Sequence, residues 1–172
     1  MRGIRIGSQV QVGWVQASAR SLRARHIAVA EDTRRVLQPC LKIGEPAEPI
    51  AELIEEAADT VWEIGDVVVR RRACGPQFDV VVYDLDADPI VTAESVYVGL
   101  RNLLVELDRR CVRLVAMELL GTAHRGISAS EFAASLYSAC LRSSAPLSIL
   151  LCDPDERLLH RVAGALLRAG TG

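Results

Sequence analysis

The sequence predicts an α/β domain with helices on both faces of a mixed, mostly parallel sheet. Three observations carry that prediction. The C-terminal half alternates apolar runs with amphipathic stretches in the order strand, helix, strand, helix, strand, helix. That order favours parallel strands joined by crossover helices. Two short alternating runs open the chain and read as an antiparallel pair, which makes the sheet mixed. The length, 172 residues with half of them hydrophobic, fits one domain spanning 1–172 with ample material for a core.

"RGIRI" and "QVQVGWVQA" are the two early strands, and "HIAVA" (26–30) is a short buried one. "EDTRRVLQPC" starts a helical turn that Pro39 interrupts. "KIGEPAEP" (42–49) is a loop by its glycine and prolines. Residues 49–64 carry apolar side chains at Ile50, Leu53, Ile54, Ala57, Ala58, Val61 and Trp62, the stripe of an amphipathic helix. "DVVVRR" (66–71) and "QFDVVVYDL" (77–85) are strands. Residues 92–110 form a long helix opened by Thr92. "CVRLVAMEL" (111–119) is a buried strand, and Ser128 and Glu131 have the spacing of a capping box at the head of the helix 128–143. "LSILLCD" (147–153) is the last strand. Pro154 and Gly170 bracket the terminal helix.

Several function classes are disfavoured. No run of 18 apolar residues is present, so no membrane-spanning helix is expected. The opening "MRGIRIGSQVQVGW" lacks the apolar stretch of a signal peptide. Five cysteines without a C-x-x-C pair point to reduced thiols in a cytoplasmic protein rather than to disulfides or zinc. Arginines cluster in "RSLRARH" (20–26) and "VVVRRRAC" (67–74), but a net charge of −2 argues against a nucleic-acid footprint. Solvated strand ends account for both clusters. Asp84 and Asp86 close a strand and cap the following helix rather than hold a metal. No metal or cofactor is expected.

The stretch with chemistry is "VRLVAMELLGTAHRGISASEF" (112–132). In open α/β sheets ligands bind beyond the carboxyl ends of the strands. Gly121 and Gly126 let the backbone turn its N–H groups inward, and the helix from Ser128 brings its positive end close.

The order of elements and this loop resemble the macro domain, a family that binds ADP-ribose, over nearly the full length. "VAMELLGTAHRGIS" stands where the family has an apolar strand and then Leu-Gly-Thr-Gly before a helix. Leu120, Gly121, Thr122, Ala123, His124, Arg125 and Gly126 fall on that second phosphate loop. "LSILLCDPDERLLHRVAGAL" is similar to the last strand and helix. The resemblance implies a three-layer α/β/α macro-like fold, with Ser8, Gln9, Glu31, Asp32, Cys152 and Asp153 on the ribose and adenine side. It places the family's Asn-Ala-Ala-Asn on Val29, Ala30, Glu31 and Asp32, so that Asp32 stands for the asparagine that positions water in hydrolytic members. It puts Ser8 in place of the aspartate that meets adenine. Of the glycines in the first phosphate loop only Gly44 is kept, flanked by Glu45 and Glu48, whose charge repels phosphate.

These departures imply a divergent, non-hydrolytic member that binds an ADP-ribose- or nucleotide-like ligand weakly, or serves as a regulatory or scaffold module. Two alternatives stand beside it. One is an active hydrolase of ADP-ribose derivatives with Asp32 as general base. The other is an interaction module with a protein partner or a second copy of itself.

Overall fold

The computed structural model describes residues 3–34, 61–123 and 126–170. Among them seven strands form one sheet: β1 (Gly3–Ile6), β2 (Val10–Gln16), β3 (Ile27–Asp32), β4 (Val67–Arg70), β5 (Gln77–Tyr83), β6 (Leu114–Glu118) and β7 (Leu147–Asp153). The spatial order is β1-β2-β7-β6-β3-β5-β4. The five inner strands run parallel, and the edge strands β1 and β4 are antiparallel to their neighbours. The early antiparallel pair and the mixed sheet are as the sequence predicts.

Three helices are described: α1 (Ala93–Arg109), α2 (Ala129–Leu141) and α3 (Glu156–Ala169). Each start is capped as its sequence allows. The Thr92 hydroxyl accepts from the Ser95 N–H, and the Ser128 hydroxyl accepts from Glu131 N–H while the Glu131 carboxylate accepts from Ser128 N–H. Asp155 caps α3, so the helix begins two residues after Pro154. None of the described helices is long and apolar enough to cross a membrane.

All three described helices bury their apolar stripes against one face of the sheet, in a single core that includes Phe78, Val80, Leu100, Leu103, Met117, Phe132, Leu136 and Val162. Strand alternation sends Ile27, Val29, Ala116 and Cys152 to the opposite face, where Ala19, Leu22 and Ala24 of the segment after β2 pack on them. α1 lies close on β5 because Gly99 has no side chain there. A Cβ at that position would sit 2.8 Å from Val80 Cγ1 and 2.9 Å from Val82 Cγ1.

Two expectations need correction. The helix predicted over 49–64 does not include its last four residues. Trp62 N–H donates to the Thr33 carbonyl and Gly65, at φ +94°, turns the chain into β4, so residues 61–64 are extended and then turned. The rest of that segment, the turn after Arg34 and the loop at 42–49 lie outside the described residues. Asp84 and Asp86 do not cap α1. Asp84 accepts from Asp86 N–H at 3.1 Å within their own turn, and Asp86 pairs with Arg34 at 2.7 Å.

The face opposite the three described helices also holds a charged cluster. Arg70 on β4 reaches Glu31 on β3 at 2.9 Å and bonds Asp79 on β5 through Nε, while Gln77 donates to Asp79 at 2.6 Å. Both carboxylates are fully buried. One guanidinium thus serves two buried acids. At Glu31 burial outweighs the attraction of Arg70, and its carboxyl is pushed up from 4.5 to about 7.

Two measurements test this packing. Gly99→Val is expected to lower the unfolding free energy by about 1–3 kcal/mol through overpacking against Val80 and Val82. An unchanged urea midpoint would show that α1 does not press on β5. For Glu31 the sign follows from its raised value: between about pH 4.5 and 7 the folded state holds a proton that the unfolded state has lost. Stability is therefore expected to fall, by up to about 3 kcal/mol, as pH rises through that window, and to level off above it. Glu31→Gln should remove that slope when urea midpoints at about pH 5 and about pH 7.5 are compared.

Candidate functional site

The parallel strands direct their carboxyl ends to one side, where open α/β sheets form their ligand crevice, and the segments leaving them make its rim. The most fully specified wall is the loop from β6 to α2. Gly121 turns it at φ +75°, and a Cβ there would collide with Val96 Cγ2. Gly126 lies so close to the Gly121 carbonyl that its Cβ would overlap that oxygen. The loop is closed by Ile127 N–H to the Gly121 carbonyl and Gly126 N–H to the Ala123 carbonyl, both at 2.9 Å. The Thr122 hydroxyl donates to the Leu119 carbonyl at 2.8 Å. From β5 the Tyr83 phenol donates to the Ala123 carbonyl at 3.3 Å, and its burial pushes the phenol up to about 12, so it stays a donor.

The shape is therefore fixed by side-chain exclusion at two glycines. Its pull on an anion is modest. Thr122, Gly126 and Ile127 spend their N–H groups inside the loop. At the head of α2 the Glu131 carboxylate already faces Ser128, whose hydroxyl first and N–H second hold Glu131 below the usual carboxylate range, and it neutralises part of the helix terminus.

The neighbouring rim, at the ends of β6 and β7, is acidic. Burial pushes the Glu118 carboxyl up, Arg20 pulls it down and Asp153 pushes it up further. Asp153 is likewise pushed up by burial, while Asp155 N–H donates to it at 2.7 Å. β2 is tied to this rim by Ala17 N–H to the Asp153 carbonyl and by the Gln16 amide to the Pro154 carbonyl.

At the end of β3, Asp32 is fully buried and its Oδ1 accepts from Arg34 N–H at 2.7 Å, the turn-closing bond of a strand-end aspartate. Thr33, next to it, donates its N–H to the Tyr83 carbonyl, and its own carbonyl accepts from Trp62 N–H.

Gly121, Thr122, Ala123 and Gly126 are thus brought into one loop, Asp153 joins the rim beside it, and Asp32 ends the strand across from it. Gly44, His124 and Arg125 lie outside the described residues. Four other expected positions are not at the crevice. Ser8 and Gln9 occupy the turn before β2, and the Gln9 carbonyl accepts from Leu147 N–H at the start of β7. They therefore sit at the amino ends of the parallel strands, the opposite pole. The reason is that β1 and β2 are antiparallel, so only β2 points its carboxyl end at the crevice. Glu31 projects to the face opposite the described helices, where Arg70 holds it. Cys152 is fully buried in the small core of that face, its thiol bonded to the Leu150 carbonyl and pushed up to about 12.

Sequence reasoning missed Tyr83, Arg20, Ser18 and Thr33. Tyr83 reads in sequence as one more apolar residue of a strand. Ser18 and Thr33 flank strand ends and are marked by no motif, and Arg20 reads in sequence only as part of the solvated basic cluster 20–26. Among the described residues no group of three His, Cys, Asp or Glu side chains is placed to hold a metal ion.

No family model matches the chain, and no curated protein is similar to it in sequence. Solved structures are similar in fold. The Oceanobacillus iheyensis macrodomain with MES bound superposes with a TM-score of 0.69 over 99% of this chain and 97% of that one, at 14% identity. The macrodomain of Thermus aquaticus DarG gives 0.63 over 84% and 99%, at 16% identity. The Trypanosoma brucei macrodomain in complex with ADP gives 0.62 over 92% and 69%, at 13% identity. The chain has the fold of the macrodomains.

Proposed function

We propose that this chain is a divergent macro-like module that binds an ADP-ribose- or ADP-like nucleotide weakly in the carboxyl-end crevice, does not hydrolyse it, and acts as a regulatory or scaffold element. The observation that carries the reading is the β6–α2 loop, a tight strand-to-helix turn that a side chain at either Gly121 or Gly126 would break. Similar folds have been solved with ADP and, for an Oceanobacillus iheyensis macrodomain mutant, with ADPR. The diphosphate lies along Gly121, Thr122, Ala123 and Gly126. The ribose and adenine lie toward Asp32, Asp153 and the residues after β2. The role that the family resemblance gives to Ser8 passes to Ser18, which follows the strand that faces the crevice.

Weak binding follows from the chemistry of the rim. Glu118 and Asp153 add negative character beside the loop, and Glu131 occupies the positive end of α2. Each charge-assisted hydrogen bond missing from a diphosphate removes roughly 1.5–3 kcal/mol, and two such losses move a micromolar site toward millimolar. Against hydrolysis stands Asp32, buried and already accepting from Arg34 N–H, a poor posture for a base that must take a proton from water.

Calorimetric titration of ADP-ribose, ADP and NAD tests the reading. A Kd of about 0.1–1 mM is expected for ADP-ribose. Silence at millimolar ligand, or a Kd below about 10 μM, would overturn it. Gly126→Ala should abolish the heat, because the Cβ displaces the Gly121 carbonyl. Incubation with an ADP-ribosylated protein should release nothing. Turnover that disappears in Asp32→Ala would replace this proposal with the hydrolase.

A further inference from the structure

The two arginine clusters, far apart in sequence, meet in the fold at the amino-end pole of the sheet. Arg72 Nη2 donates to the Ala24 carbonyl at 3.3 Å. Gly75 lies directly on Arg25, where a Cβ would overlap the Arg25 carbonyl oxygen. Between the β4–β5 turn and the end of α1 runs an open groove of about 490 Å³ lined by Val69, Arg71, Arg72, Gly75, Pro76 and Arg110. None of these lining residues is acidic. Glu106 holds Arg110 through Nε from the helix side. Arg72 Nε is buried with no hydrogen-bond partner among the described residues, and Arg71 is exposed. Three arginines with no acidic residue among the groove's lining make a surface that an anion would complement.

We propose that this groove binds the phosphodiester backbone of a nucleic acid. Arginine forks suit phosphate oxygens in pairs. The lining offers neither an aromatic platform for a base nor an amide to read a base edge, so the contact is to phosphates and independent of sequence. The chain's net charge of −2 does not show the groove, since Glu118, Asp153 and Asp155 lie at the opposite pole and Glu106, the acid next to the groove, is engaged with Arg109 and Arg110. The site stands on its own residues and does not depend on the crevice.

The test is fluorescence anisotropy of a labelled single-stranded oligonucleotide titrated with the intact chain. Binding is expected in the range of about 1–100 μM at about 50 mM salt, with log affinity falling against log salt at a slope near −2 for three phosphate contacts. Arg71→Glu, at an exposed position and in no ion pair among the described residues, should weaken binding at least tenfold with an unchanged melting curve, and Arg110→Gln should weaken it several-fold. Inorganic pyrophosphate and an acidic peptide serve as competing arms. The proposal is overturned if the oligonucleotide does not bind, if charge reversal leaves its affinity unchanged, or if pyrophosphate or the peptide binds this groove while the oligonucleotide does not.

Discussion

β3 is buried along most of its length, and that burial constrains the rest of the molecule. The strand lies between β6 and β5 and ends in two carboxylates, Glu31 and Asp32, both withdrawn from water. Each needs a partner that the strand cannot supply. Alternation gives Glu31 to the face opposite the described helices, where it requires a cation, and Arg70 supplies one from across β5 on the edge strand. Asp32 turns to the chain's own backbone at Arg34. β4 therefore has to sit antiparallel at that edge, with Arg70 opposite Gln77, for the centre of the sheet to be stable. The register of β3, β5 and β4 and the start of the crevice rim all derive from how these two acids are satisfied.

Much of this was legible in the sequence because it is periodic or punctuated. "LSILLCD" matches β7 residue for residue, and Ser128 with Glu131 caps α2 as their spacing suggests. The glycine loop after β6 was visible for the same reason, since glycine marks where a side chain would collide. What failed was direction. Ser8 sits after a strand, as the family pattern asks, but β1 runs against the inner strands, and the sign of a strand is a property of its pairing. Glu31 and Asp32 are neighbours in sequence and on different faces in space. Cys152 follows the same rule, one residue from the rim and pointed into a core. Tyr83 on β5 meets Ala123 of the β6–α2 loop from far away in the chain, so no local window contains the anchor of the loop.

The distribution of charge is a tertiary property as well. A composition near neutrality with interspersed signs suggests an even surface. The fold instead sorts the charges by strand direction. Residues at strand ends inherit the polarity of the parallel sheet, so the acids that close β6 and β7 gather at one pole and the arginines before β3 and β5 at the other. The sorting is not complete: Arg20 is brought over Glu118 and Arg34 pairs with Asp86 at the acidic pole, while Glu106 and Asp108 stand among the arginines of the other. Placing sign by pole gives the molecule an electric axis along the strands that its total charge does not reveal.

The two edge strands carry a consequence for assembly. β1 and β4 are four residues each, both closed by antiparallel pairing on one side only, and each bears an arginine. A short, charged edge offers too few free backbone groups to template another sheet. Edge-to-edge joining of copies into continuous ribbons is thereby disfavoured.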